Sequence, residues 1–550
     1  MFEHGSNPEY GRGSLSLPRK HILSFETASV ILLALVMLIS GLQSTPLARA
    51  TEPRVAGVAA GMYLTGDYVA PRLNGTLFLE KPPLHPWLTG LSFELFGINN
   101  VSARLVSVGA AIATLLLLIN FLRRRDYSAS VASLAAVSLL TMAQYWSYAR
   151  LSGQDALLAL GVALCAMSTF EHSLRPALRS LLLITAGVAI ASLTKGIFGV
   201  AMCAGIVGGY LVLKQWLIDK RFSLKQLIVV MLAALIGLIP LCLWLFALYR
   251  QEGWEALMEE VWTNSVDRFN GTYQRGAHIE PWYFYFAKIP TLFQPWLVMI
   301  GFGLYFHFKK TRLDALRLFS LCWLLVPVFM LSLSTSKRTE YLLSIYPAAA
   351  IVLASVFRQF FAAASDQLSP GRRKTLRNLL IFQALLTFLA LAYCAVETVK
   401  LHNIELRWLP LLILAIPLCL YAGLQTVRNQ LQRALVLTTL ALYLGFIYFG
   451  ATINTQLSAK RSMEAMFQTL QRDNPDTAMA LYKPKEKLSG GAVFYLHKTI
   501  PELNARADFD SYAANHDHYI VISEDKELGN YPGSVSEFKL KYDRFYLLKK

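Results

Sequence analysis

The sequence predicts an α-helical polytopic membrane protein with a small α/β domain at its C-terminus, and three observations predict it. Of 550 residues, 55% are hydrophobic and only 16% are charged, against about 25% charged in an ordinary soluble globule. About thirteen apolar stretches follow one another, each close to the roughly 20 residues a helix needs to cross a bilayer. From about residue 453 the pattern changes to short, mixed helix and strand signals.

The expected spans are 22–42, 101–122, 129–148, 154–172, 178–193, 196–217, 226–249, 285–307, 315–334, 340–361, 376–399, 408–426 and 433–452. They divide the chain into an N-terminal cytoplasmic segment (1–21), a membrane domain (22–452) and a C-terminal domain (453–550). With the N-terminus inside, basic clusters such as Arg123-Arg124-Arg125 and Arg372-Arg373-Lys374 all fall on the cytoplasmic side, as the positive-inside rule requires. The net charge of +17 therefore reads as topology and contact with anionic lipid, and no nucleic-acid partner is expected. Ala48-Arg49-Ala50 has the small-x-small look of a signal cleavage site. The apolar run before it is long for a signal peptide, so the first stretch is expected to stay as a span. All six cysteines sit in apolar stretches without metal-ligand spacing and read as small buried hydrophobes.

The opposite face holds the long loop 43–100 and the tail. In the tail, helices are expected at 459–472 and 491–496, and strands at 478–482, 519–522 and 538–548. In the loop, 55–64 is mildly amphipathic and is expected to lie on the membrane surface. Gly66, Pro71 and Gly75 then break the chain, and Glu80-Lys81-Pro82-Pro83 sets a carboxylate and an ammonium before a rigid return to the bilayer.

The run Gly66-Asp67-Tyr68, Asn74-Gly75, Glu80-Lys81-Pro82-Pro83-Leu84 and Trp87 resembles the first periplasmic loop of the bacterial ArnT family. These are polyprenyl-phosphate-dependent aminoarabinosyl transferases related to the protein O-mannosyltransferases. The likeness continues through Phe96-Gly97, Ser102-Ala103-Arg104, Gln154-Asp155, Lys195-Gly196, Pro281-Trp282-Tyr283, Pro295-Trp296, Ser336-Lys337 with Tyr341, and Tyr346-Pro347. It covers about residues 20–360 in order. The resemblance implies a GT-C fold and a bacterial inner-membrane glycosyltransferase whose active site faces the periplasm. It implies transfer of a sugar, 4-amino-4-deoxy-L-arabinose in that family, from undecaprenyl phosphate to lipid A or a related acceptor. That reaction modifies lipopolysaccharide and underlies polymyxin resistance.

The residues support such chemistry on their own. A polyprenyl-phosphate donor leaves a lipid phosphate behind, so the site must hold a phosphate and stabilise charge on the leaving oxygen. Lys81, Lys195, Arg268 and Lys337 can supply that charge, with Tyr341 as a hydrogen-bond donor. Arg338 is a further cation that the family pattern does not demand. Glu52 and Asp155 stand at outer boundaries, where an acceptor would be oriented or activated. Alternatively, Asp155 caps its helix and Glu52 pairs with Arg49 or Arg54.

The resemblance assigns Glu80 to a divalent metal. The sequence departs from the pattern here, because Ser265 stands where family members carry the partner histidine. His278 is the nearest substitute, and a lone carboxylate makes a poor site. The family's acidic and aromatic residues around Glu52 are likewise replaced by Thr51 and Val55. The rival readings are a related transferase using a polyprenyl-phosphate hexose on protein or another surface glycan, and a non-catalytic glycolipid binder or transporter. Transporters carry ionisable groups near the bilayer midplane, whereas these candidates cluster at span ends.

Overall fold

The structure is a computed structural model that describes residues 25–49, 51–267, 279–309, 313–362, 369–401, 406–531 and 533–550. Among the described residues, nine helices are long and apolar enough to cross a membrane, or up to eleven if each of two bent pairs forms one span. The bent pairs are Ala129–Leu140 with Ala143–Ala149, at 75°, and Phe284–Leu292 with Leu297–His307, at 116°. The expected figure of thirteen is not matched by this count, for two local reasons. Phe25–Ile39 is only 15 residues long, and the two spans expected at 178–193 and 196–217 form one run, Leu178–Asp219.

That run is broken where its two expected members meet. Lys195 (φ −140°, ψ 27°) and Gly196 (φ 54°, ψ −135°) leave helical geometry, and the latter conformation is one glycine adopts at little cost. The chain bends back so sharply that a Cβ on Gly199 would sit 2.0 Å from the carbonyl oxygen of Ala191. Small residues also bring Leu178–Lys214 against Asp155–Leu174. A Cβ on Gly187 would lie 2.5 Å from the Cys165 nitrogen, the close backbone approach typical of membrane helix pairs. Five of the cysteines are buried as expected, while Cys242 lies on an exposed face.

Two buried arginines hold the extracted ends of the bundle. Arg150 donates to the carbonyls of Met37, Leu38 and Ser40 at 2.8, 2.8 and 2.7 Å, closing the C-terminus of Phe25–Ile39. Arg104 donates to Thr45 O at 2.5 Å and Pro46 O at 3.1 Å, and pairs with Glu52 at 2.9 Å.

The first loop forms the helix Thr51–Thr65, whose Ala56, Ala59 and Ala60 are fully buried in one cluster with Phe93, Ala103 and, from the C-terminal domain, Val493 and Phe494. Gly57 meets Gly490 of the helix Glu486–Leu496 so closely that a Cβ on Gly57 would lie 2.5 Å from the Gly490 Cα. The loop then makes a hairpin of β1 (Arg72–Leu73) and β2 (Thr76–Leu77). Asn74 and Gly75, both at positive φ, form its tip, a pairing that suits a tight hairpin turn. The Asn74 amide donates to Ile500 O and Glu502 Oε1, each at 2.8 Å, and accepts from Ile500 N at 3.0 Å.

The C-terminal domain is a five-stranded mixed sheet of β3 (Ala478–Tyr482), β4 (Glu502–Leu503), β5 (Tyr519–Ser523), β6 (Ser534–Lys539) and β7 (Arg544–Lys549). Its order is β4-β3-β5-β7-β6, with β3 parallel to β4 and β5 and the other pairs antiparallel. The single strand expected at 538–548 is the β6–β7 hairpin, because the chain turns between Leu540 and Asp543, whose backbones bond at 2.8 Å. The first helix begins later than expected, at Glu464, and the second earlier, at Glu486.

Candidate functional site

A cavity of about 440 Å³ lies beside the loop at one end of the bundle. Ile197, Phe198, Met202, Met330 and Leu331 supply one wall, while Glu80, Lys81, Lys195 and Tyr341 bring polar groups to it. The sequence elements explain the convergence. The prolines after Lys81 set the loop's return, the break at Lys195-Gly196 frees an ammonium from a helix interior, and Tyr341 sits on the 3₁₀ turn Thr339–Ile345.

Within this cavity Lys195 Nζ lies 2.5 Å from Asp155 Oδ1 and 4.9 Å from the centre of the Tyr341 ring. Asp155 therefore holds the Lys195 ammonium in place. It is the first residue of its helix, and Gln154 occupies the cap position without a side-chain bond, so the capping alternative is not the geometry seen. Lys81 Nζ donates to the Glu80 carbonyl at 2.8 Å.

Glu52 is 2% exposed. Its carboxylate accepts from Arg104, from Ser152 N at 3.1 Å and from Ala48 N at 3.3 Å. The partner is thus Arg104, not the Arg49 or Arg54 of the alternative reading. In this geometry Glu52 pins the loop to the bundle and does not line the cavity.

Lys337 also stands apart from the cavity. The residue is 3% exposed, and its ammonium donates to the carbonyls of Ser334 and Glu280, the latter at 2.9 Å. Burial pushes it below the ordinary lysine range, and the Glu280 carboxylate opposes that shift. Ser334, Ser336 and Tyr341 line the cavity, whereas Lys337 to Glu340 line a second, open groove of about 880 Å³. The segment 334–341 is a wall between two chambers. Arg338 pairs with Glu340 at 3.5 Å, and Tyr148 donates to Glu340 at 3.2 Å. Arg268 and His278 lie outside the described residues.

Three participants were not singled out from the sequence. Arg54 bridges Glu80 at 2.9 Å and Glu486 of the C-terminal domain at 2.6 Å. Glu260 and Asn264 line the cavity from the segment Glu259–Asp267, and Asn264 donates to Leu79 O at 2.6 Å. The only sequence signal was the position of Arg54 inside the loop motif; the other two sit in a stretch without a distinguishing pattern.

Among the described residues Glu80 is not surrounded by a metal-ligand set, and His278 lies outside them. The Glu80 carboxylate already faces the Arg54 guanidinium, and no group of three or more His, Cys, Asp or Glu side chains suited to a metal occurs among the described residues. A cation next to the same oxygen opposes a second one.

Comparison with known proteins follows this geometry. Residues 80–244 match the family described as dolichyl-phosphate-mannose-protein mannosyltransferase. The chain is 28% identical over 336 residues to the undecaprenyl phosphate-alpha-4-amino-4-deoxy-L-arabinose arabinosyl transferase 2 of Proteus mirabilis, covering 59% of this chain and 58% of that one. A transferase of the same description from Pseudomonas savastanoi pv. phaseolicola is 28% identical over 404 residues, covering 71% and 70%. An uncharacterised protein of Aquifex aeolicus is 32% identical over 301 residues, covering 53% and 64%. The matched part thus spans 58% to 59% of the length of two of the curated transferases. In fold, the chain superposes on ArnT from Cupriavidus metallidurans bound to undecaprenyl phosphate, with a TM-score of 0.75, 18% identity and coverage of 96% and 97%. The likeness that the motifs carried is borne out: the chain is similar in sequence to the undecaprenyl-phosphate aminoarabinosyl transferases and has the fold of ArnT.

Proposed function

We propose that the protein is a glycosyltransferase of the bacterial inner membrane that takes a sugar from a polyprenyl phosphate and passes it to an acceptor at the periplasmic face. The observation that carries this reading is the mixed lining of the cavity. Its apolar side chains suit the first isoprene units of a lipid, and Lys81, Lys195 and Tyr341 line the same cavity for a phosphate. The reaction breaks the bond between the sugar's anomeric carbon and the phosphate oxygen, forms a bond to the acceptor oxygen and leaves the polyprenyl phosphate. Charge grows on the departing phosphate, and preorganised cations lower that barrier. Asp155 keeps the Lys195 ammonium oriented, and Arg268 is assigned to the same phosphate on the strength of its motif.

By likeness to the arabinosyl transferases, the sugar is 4-amino-4-deoxy-L-arabinose and the acceptor lipid A. An ionised phosphate acceptor needs positioning more than a base, which is compatible with a Glu52 engaged by Arg104. No step is assigned to a metal. Mass profiling of lipid A from a deletion strain, complemented with wild type or Lys81→Ala, tests this. A pentosamine-sized adduct restored by wild type alone is the expected result. An unchanged lipid A profile in strains that express the protein rejects the acceptor and favours a protein or glycan acceptor.

A further inference from the structure

We propose that Glu260 reads the donor sugar: its carboxylate pairs with an ammonium group on that sugar, so that the cavity selects an amino sugar over a neutral one. The inference rests on the proposed transferase reading and assigns the selectivity of that reaction to one side chain.

The backbone is arranged to hold this carboxylate at the cavity. Gly253, at φ 86°, breaks the helix Ile239–Met258, a conformation that glycine adopts at little cost. The chain then continues as the π-helix Glu259–Asp267, a wide turn of a kind that recurs at functional sites. Two contacts fix it to the loop. Ala256 packs in one apolar cluster with Leu79, just ahead of Glu80-Lys81. Asn264 donates to Leu79 O at 2.6 Å and to Glu259 O at 3.1 Å. Glu260 is 5% exposed and lines the cavity together with Asn264, Lys81 and Lys195.

Charge points to the ligand. A carboxylate is a poor choice for a chamber that holds only a lipid phosphate. It repels the charge that grows on the leaving oxygen, and burying it costs free energy that an apolar side chain would not. The cavity nevertheless contains two, Glu80 and Glu260. Glu80 faces Arg54 at 2.9 Å and so belongs to the link between the loop and the C-terminal domain. Glu260 comes from a different element, on the turn that Asn264 ties to the loop. A ligand with a phosphate at one end and an ammonium at the other matches this lining, the phosphate going to Lys81 and Lys195 and the ammonium to Glu260.

An amino sugar has that shape. In a 4-amino pyranose the anomeric carbon and the amine-bearing carbon lie across the ring from each other, so one sugar spans both charges. A carboxylate and an ammonium make a charge-assisted contact, stronger than the one a hydroxyl at the same carbon would give. A site built around such a contact rejects the analogue that lacks it.

The test uses the full chain in nanodiscs and two polyprenyl-phosphate donors that differ in one group, 4-amino-4-deoxy-L-arabinose and L-arabinose. Wild type, the neutral variants Glu260→Gln and Glu260→Met, and Glu260→Asp are measured for donor binding and donor KM. The proposal expects wild type to bind the amino donor about tenfold more tightly, the size of one charge-assisted hydrogen bond. Either neutral variant should abolish that preference, with the loss falling on the amino donor, and Glu260→Asp should keep most of it. Equal binding of the two donors by wild type overturns the proposal. A neutral variant that weakens both donors to the same degree also overturns it, since that is what a purely structural role would give. If wild type transfers neither sugar, the transferase reading fails, while the binding ratio still decides for or against Glu260.

Discussion

The two chambers differ in what lines them. The cavity beside the loop is lined by Ile197, Phe198, Met202, Met330 and Leu331 together with the cations Lys81 and Lys195. The groove past the 334–341 wall is wider, open and lined mainly by charged side chains from both domains. Apolar walls hold a chain that is already in the bilayer, and charge holds a headgroup that stays wet. The contrast rests on one short segment, which gives Ser334, Ser336 and Tyr341 to the cavity and the consecutive residues Lys337 to Glu340 to the groove.

The largest effect should come from the cavity. Lys81→Ala is expected to lower kcat by about 100-fold or more, the cost of removing one preorganised charge from a leaving group, read in a purified transfer assay. An equal loss in acceptor binding would mean that the chambers are not separate.

Next comes the support that both chambers share. Glu52 and Arg104 form a buried pair, 2% and 1% exposed. Arg104→Ala strands the Glu52 carboxylate and is expected to cost about 3 to 5 kcal/mol of stability, measured by thermal unfolding in detergent. The double variant Glu52→Gln, Arg104→Met should recover part of that loss. Because Glu52 pins the loop, this stability loss should accompany any loss of transfer; an Arg104→Ala protein that is fully stable yet inactive would put Glu52 back among the reacting groups.

A third effect is pH-dependent and lies under the loop. His85 is fully buried in the helix Leu84–Phe96, and burial pushes its imidazole down to about 4. The unfolded chain takes up the proton first, near 6.5, so the unfolded state binds more protons between 6.5 and about 4. Stability should therefore be full above 6.5 and fall on acidification through that window, by at most about 3 kcal/mol. His85→Gln should flatten this slope in melting curves taken across the window.

The smallest effect is expected from metal removal. With Arg54 on Glu80, a chelator should change the transfer rate by less than about twofold, well inside one pKa-unit-sized energy. Loss of activity on chelation, restored by a divalent ion, would show that the cavity's charge balance is not supplied by Arg54.

Much of this was legible in the sequence, for physical reasons. Apolar length gave the membrane bundle, and the loop motif placed Glu80 and Lys81 in one cavity with Lys195 and Tyr341. The Lys195-Gly196 pair marked a break, which the structure bears out. What stayed hidden was partnership across long separations. Nothing local in Glu52 says that it meets Arg104, or in Arg54 that it reaches Glu486. The amphipathic look of 55–64 was ambiguous for the same reason, since an apolar face can meet lipid or another domain. Gly57 opposite Gly490 decided for the domain. The strand expected at 538–548 hid a turn because its residues between Leu540 and Asp543 carry no glycine or proline.

The most direct measurement is transfer by the purified full chain from a polyprenyl-phosphate-linked 4-amino-4-deoxy-L-arabinose to lipid A, with wild type and Lys81→Ala run side by side and products weighed by mass spectrometry. The account predicts a pentosamine-modified lipid A and released polyprenyl phosphate with wild type, and neither with the variant. No product with wild type from this donor or a polyprenyl-linked hexose, or equal product from both proteins, would contradict it.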